Sequence, residues 1–188
     1  VGFGTHNILL LQICFNDSEP SDNYNKICLY FHRFFNFHSL PDKDFTYIDI
    51  SSINNKLFKL GEDMEILRPN QAPSRARKIV KKGDIIYSTV RPYLMNICII
   101  DKNIEPEPIV STGFAVFNTS LDITNQYLFR VLLSPYFDSY ANHNDNAKGV
   151  AYPAINDTRL KNALVPLPPL AEQQRIVAKL DALLPKVQ

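Results

Sequence analysis

The chain has 188 residues, 45% hydrophobic and 21% charged, with a formal net charge of +1. That is the make-up of an ordinary globular chain, with apolar material for one domain and a small appendage. Three cysteines, Cys14, Cys28 and Cys98, stand outside any CxxC spacing, which argues against a disulfide framework and a zinc site and predicts reduced thiols in a cytoplasmic protein.

The run ILLLQICF at 8–15 falls short of the ~20 apolar residues of a membrane span. It also lacks the cationic leader and small-residue cleavage site of a signal segment, and it reads as a buried strand. The first residue is Val1 rather than Met, which reads as a processed or partial chain. Residues 1–40 are atypical: CLYFHRFFNFHSL at 28–40 crowds aromatics and histidines without period two or 3.6, and no element is assigned to that run.

From residue 45 the pattern becomes regular. In FTYIDI (45–50), Phe45, Tyr47 and Asp49 alternate with Thr46, Ile48 and Ile50, predicting a strand closed by the turn-prone SSINN. GDIIYSTV (83–90), LMNICIID (94–101) and IVSTGFAVFN (109–118) are three further β-rich runs, separated by Arg-Pro and Glu-Pro breakers. Helix follows. TNQYLFRVLLS (124–134) sets Tyr127, Leu128, Val131 and Leu132 on one face, with Thr124 or Asn125 as the cap. Pro135 opens a second short helix through Tyr140. After the polar loop at 142–149, INDTRLKN (155–162) predicts one helical turn capped by Asn156. Strands first and helices later, without repeats, indicate an α+β (mixed α/β) domain.

Charge is concentrated. The window 68–91 holds Arg68, Arg75, Arg77, Lys78, Lys81, Lys82 and Arg91 against Asp84 alone, a local surplus of six in a chain of net charge +1. Such polarisation suits an anionic partner, while a solvated loop entering a strand is the plainer account.

Reaction chemistry is harder to find. GxxxxGK[ST] does not occur, and the GFG at 2–4 lacks the strand that a nucleotide-binding turn requires. The Asn/Asp-Pro-Pro-aromatic signature of amino-methylating enzymes is missing, and no lysine has the acid two residues before it that PD-(D/E)xK nucleases need. His6, His32, His38 and His143 are scattered, and Ser111 in STG has no histidine motif beside it. No catalytic residue, metal or cofactor is expected.

The chain closes on VPLPPLAEQQRIVAKLDALL (165–184). Pro168 and Pro169 stop upstream structure, and Glu172 lies where the helix dipole favours an acid. At 100° per residue, Leu170, Ile176, Val177, Leu180, Leu183 and Leu184 form one arc interrupted by Gln173. Docking on its own domain accounts for such an arc; a coiled-coil seam with another helix is the sharper expectation.

This tail resembles the conserved region that follows a target recognition domain in specificity (S) subunits of type I restriction-modification systems. FTYIDISSINN, APSRARKIVKKGDIIYSTVRPYL, VSTGFAVF, YLFRVLLSPYF and GVAYPAINDTRLKNALVPLPPLAEQQRI resemble that domain in the same order. The resemblance implies a bacterial, cytoplasmic, non-catalytic protein that reads half of a split sequence in double-stranded DNA and works with methylation (M) and restriction (R) subunits. It implies a recognition domain at 1–167 and a conserved spacer or dimerisation helix at 168–188, of coiled-coil type. The chain then resembles a half-subunit or a fragment, and a homodimer through the last helix follows as an expectation. The expected DNA face is Arg75, Arg77, Lys78, Lys81, Lys82 and Arg91, with Ser74, Tyr93, Asn144, Lys148 and Tyr152 beside them. Alternatives are the recognition fragment of a fused restriction-methyltransferase, or a silent recombination cassette.

Overall fold

Runs of β-branched and aromatic residues, cut by Pro and Gly, give short strands that pair far apart in sequence. The computed structural model describes residues 24–26 (backbone only), 41–62, 64–118, 123–143 and 153–183. Its strands are β1 (Tyr24–Lys26), β2 (Phe45–Ile48), β3 (Ile53–Asn54), β4 (Lys59–Leu60), β5 (Glu65–Leu67), β6 (Ala76–Ile79), β7 (Ile85–Ser88), β8 (Ile97–Ile99), β9 (Pro108–Ser111), β10 (Phe114–Phe117) and β11 (Leu164–Pro166). The helices are α1 (Asn125–Leu132), α2 (Pro135–Ala141), α3 (Asp157–Lys161) and α4 (Leu170–Leu183). The expected strand at 8–15 and both Cys14 and Cys28 lie outside the described residues.

Two sheets carry the domain. One is a four-stranded mixed sheet ordered β5-β2-β9-β6, in which β2 and β9 are parallel. The other is the antiparallel sheet β10-β7-β8. Between them lies a core of Ile48, Val80, Ile86, Cys98, Val110, Phe114 and Val116. The opposite face of the three-stranded sheet presents Ile85, Tyr87, Ile97, Ala115 and Phe117 to the helices. Period-two alternation therefore holds, but both faces are buried, so β7 and β10 read as unbroken apolar runs. The single run expected at 109–118 is two strands, because the turn at Thr112–Gly113 carries the chain from one sheet to the other. The strand from Phe45 ends at Ile48, since Asp49 caps a 3-10 turn through a 2.8 Å bond from Ile50 N.

The helices start where their caps stand. Thr124, Ser134 and Asn156 each accept from the backbone N–H three residues on, and Pro135 occupies the first turn of α2. Tyr127, Leu128, Val131 and Leu132 are buried as the helical periodicity requires.

The tail helix departs from the expected outward seam. Ile176 and Leu180 are buried within the domain, Val177 packs against the same cluster, and α4 lies against α1. Leu170 at 43% and Leu183 at 52% remain exposed, and Leu184 lies outside the described residues. The reason is Gln173, the polar break in the arc, which is 0% exposed. Its Oε1 accepts from Thr124 N at 2.9 Å and its Nε2 donates to Pro168 O at 2.9 Å, so the amide ties α4 to the N-cap of α1. An Arg130–Asp181 ion pair and the bond from Tyr127 OH to Pro166 O at 2.9 Å hold the same joint.

Candidate nucleic-acid interface

Strand direction sorts the basic residues into two groups. β6 runs antiparallel to β9, pairing Ala76 with Ser111 and Ile79 with Ile109. Six residues of extended chain separate Arg75 from Lys81, which is about 20 Å. The two cannot share one contact point.

At one end, Thr112 N donates to Arg75 O at 2.8 Å, and Thr89 N and Oγ1 both donate to Gly113 O, at 2.8 and 2.9 Å. Arg91 N donates to Pro153 O at 2.7 Å, and Val90 forms a bridge with Ala154. Ser74 and Arg75 are exposed, Arg77 is half-buried with its Nε donating to Ser74 O at 2.8 Å, and Tyr93 is exposed. The β-strand ends therefore gather Ser74, Arg75, Arg77, Arg91 and Tyr93. Pro153 and Ala154, where the described structure resumes, lie beside Arg91. Nearby, α2 and α3 are clamped together: Arg159 stacks on the Tyr140 ring at 4.7 Å, Tyr140 OH donates to Arg159 O at 2.8 Å, and Arg159 Nη2 returns a bond to Tyr140 O at 2.9 Å. Asn144, Lys148 and Tyr152 lie outside the described residues.

At the opposite end, Lys81 and Lys82 follow β6 into a turn where Gly83 adopts φ +95°. A side chain there would meet the Asn125 amide at 3.0 Å as well as the wrong backbone region, so glycine is required. Lys81 N donates to Asp84 Oδ2 at 2.9 Å, and Gly83 N to Ile100 O at 2.8 Å. Carboxylates crowd the same end. Asp42, Asp44, Glu105 and Glu107 line an open groove of about 540 Å3 whose floor includes Phe45, Ile79 and Ile109. Lys81 and Lys82 thus stand away from the arginines, at the end of β6 that borders this groove, where Lys43 also lies.

Lys78 belongs to neither end. A β-bulge between Ala76 and Lys78 inserts Arg77 as the extra residue, so Ala76 and Ile79 share the outer face while Lys78 turns inward opposite Val110. Its Nζ donates to Phe114 O at 2.6 Å. Burial lowers its pKa below the ordinary value, opposed by nearby Asp157. Lys78 brackets the two sheets, and the sequence pattern of alternating cations gave no sign of it.

Sequence reasoning also missed the backbone of the turn Pro92–Leu94. Arg91 (φ +49°) and Met95 (φ +54°) are both left-handed, a conformation that costs a non-glycine residue about 1–2 kcal/mol each. The turn is held by Leu94 N to Arg91 O and Met95 N to Pro92 O, both 2.9 Å, and by Asn55 Nδ2 donating to Leu94 O at 2.9 Å. α2 packs against it. Arg91 Nε is buried, so this guanidinium is turned at least partly inward. Among the described residues no cluster of His, Cys, Asp and Glu has metal-binding geometry, and no helix is long and apolar enough to cross a membrane.

Residues 33–187 match the family model of the type I restriction modification DNA specificity domain. The chain belongs to this family. It is 26% identical over 157 residues to the type I restriction enzyme HindI specificity subunit of Haemophilus influenzae, covering 83% of this chain and 33% of that one. It is 33% identical over 101 residues to the EcoDI specificity subunit of Escherichia coli, covering 54% of this chain and 21% of the relative. The crystal structure of the HsdS subunit from Thermoanaerobacter tengcongensis superposes with a TM-score of 0.68 at 32% identity, over 88% of this chain and 43% of that one. A second chain, from work on complex assembly and conformational transition of the type I R-M system, gives 0.65 at 31% identity, again over 88% and 43%. The specificity-family chain thus spans a third or less of the curated relatives it matches, and it carries a single recognition domain.

Proposed function

We propose that this specificity domain reads one half of a bipartite sequence in double-stranded DNA, within a complex that includes methylation and restriction subunits, and carries out no reaction itself. The observation that supports it most directly is the gathering of cations at one end of the strands. Arg75, Arg77 and the Arg91 turn stand there, while at the other end Asp42, Asp44, Glu105 and Glu107 are mixed with Lys43, Lys81 and Lys82. A polyanion is drawn to the first end. Residues 1–167 serve as the recognition unit and 168–188 as the connecting helix, with the exposed Leu170 and Leu183 left for a partner helix or a second copy. In this reading Arg75 and Arg77 contact phosphate, while Lys81 and Lys82 contribute little.

The test uses the full chain assembled with its methylation subunit, its target mapped from methylated bases across a genome. An Arg75→Ala, Arg77→Ala double variant should weaken binding to all sequences alike and lower the salt slope by about one per lost phosphate contact. Lys81→Ala should leave both unchanged. A double variant that binds like the parent overturns this face. Titration of the chain alone with S-adenosylmethionine should give no heat, and stoichiometric binding would restore an enzyme reading.

A further inference from the structure

The Arg91–Met95 turn has a shape that packing alone does not call for. Left-handed residues bracket it on both sides, and a third, Phe58 at φ +54°, lies on the β3–β4 hairpin whose Asn55 ties down Leu94 O. Four hydrogen bonds and helix α2 fix it from three directions. What this rigid frame displays is largely apolar: Tyr93 is 52% exposed and Leu94 38%. The display stands at the arginine end of the domain, beside Pro153 and Ala154.

We propose that the turn is a pre-shaped probe that sets Tyr93 and Leu94 against one base step of the target and discriminates by stacking and step deformability, not by hydrogen bonds to base edges. This rests on the DNA-reading function proposed above. Two features support it. The backbone is locked before DNA arrives, so ordering costs little on binding. A tyrosine ring and a leucine on a rigid loop can stack on, or wedge into, a flexible step, and steps differ in how readily they open.

The experiment uses the full chain in complex with the methylation subunit, on duplexes of the mapped half-site with 2-aminopurine placed in turn at each position. For the parent, fluorescence should rise at one step other than the methylated base, which the methylation subunit itself unstacks, and stay quenched elsewhere. Tyr93→Ala should abolish that rise and lower discrimination at that step by roughly tenfold, within the range a single mismatched pair commands, with the salt slope unchanged. Tyr93→Phe should retain both, because the ring and not the hydroxyl acts. Quenching at every position other than the methylated base in the parent, or loss in Tyr93→Phe equal to that in Tyr93→Ala, would overturn the proposal. So would Tyr93→Ala discrimination identical to the parent, or weakening of all sequences alike with a smaller salt slope. A parent that selects its half-site while Tyr93→Ala selects it equally well overturns the probe alone. A parent without sequence preference overturns the DNA-reading function together with it.

Discussion

Gln173 shows how much one side chain can decide. In an arc of aliphatic residues it is the single polar member, and it is as fully buried as Ile176, bonded at both ends of its amide. Gln173→Leu keeps the volume but strands Thr124 N and Pro168 O in a closed joint. Chemical denaturation should report a loss of about 1–3 kcal/mol, more than the gain from an added aliphatic side chain. Cys98 makes a different residue-scale statement. Burial in the inter-sheet core pushes its thiol up to about 12, from an ordinary value of 9.0. The folded state therefore holds its proton while the unfolded state loses it. The resulting stability is fully present below pH 9 and is lost as pH rises toward 12. Cys98→Val should flatten that alkaline limb in melts taken across the window, although the raised Tyr87 hydroxyl will keep a share of it above pH 10.

At the scale of elements, α4 is the instructive case. Its buried and exposed apolar residues call for opposite outcomes. Ile176→Asp places a carboxylate in the core and should unfold the α1–α4 joint, visible as a fall in melting temperature of many degrees. Leu183→Asp should leave the melt unchanged and weaken only association with a partner helix, read by sedimentation. The pair of variants separates packing from docking, which a change at the buried Leu180 could not do. The sequence alone could not make that separation, because periodicity locates an apolar face and says nothing of what covers it. The cap at Asn156, the Thr124 or Asn125 start of α1, the Pro135 opening of α2 and the buried face of α1 were legible because side-chain chemistry and period act locally. β5 and β6 were not: Glu65–Leu67 is too short to show a period, and Ala76–Ile79 hid inside a basic window. The bulge at Arg77, which turns Lys78 from surface cation to internal bracket, depends on pairing with a strand thirty residues on. So the arginines of the candidate face could be named from composition, while their separation from Lys81 and Lys82 needed the direction of β6.

On the scale of the whole molecule, Arg75, Arg77 and the Arg91 turn stand at one end of the strands and a groove of mixed charge, lined by Asp42, Lys43, Asp44, Glu105 and Glu107, at the other. There is also a consequence in β1. Tyr24–Lys26 pairs antiparallel with Leu164–Pro166, the strand that leads into α4. The chain thus enters and leaves the recognition domain on adjacent strands, as though through one doorway. Everything between, from 27 to 163, is a loop in the topological sense, closed at its neck by that ladder. A domain joined through this neck and the α1–α4 joint can be exchanged for another where the incoming stretch supplies the same contacts to α4. Replacing residues 27–163 with the corresponding stretch of a relative that keeps the Thr124, Tyr127 and Arg130 contacts to α4 should therefore give a folded chain with the new half-site and an unaltered α4, detectable as a changed methylation motif with the same spacing between halves.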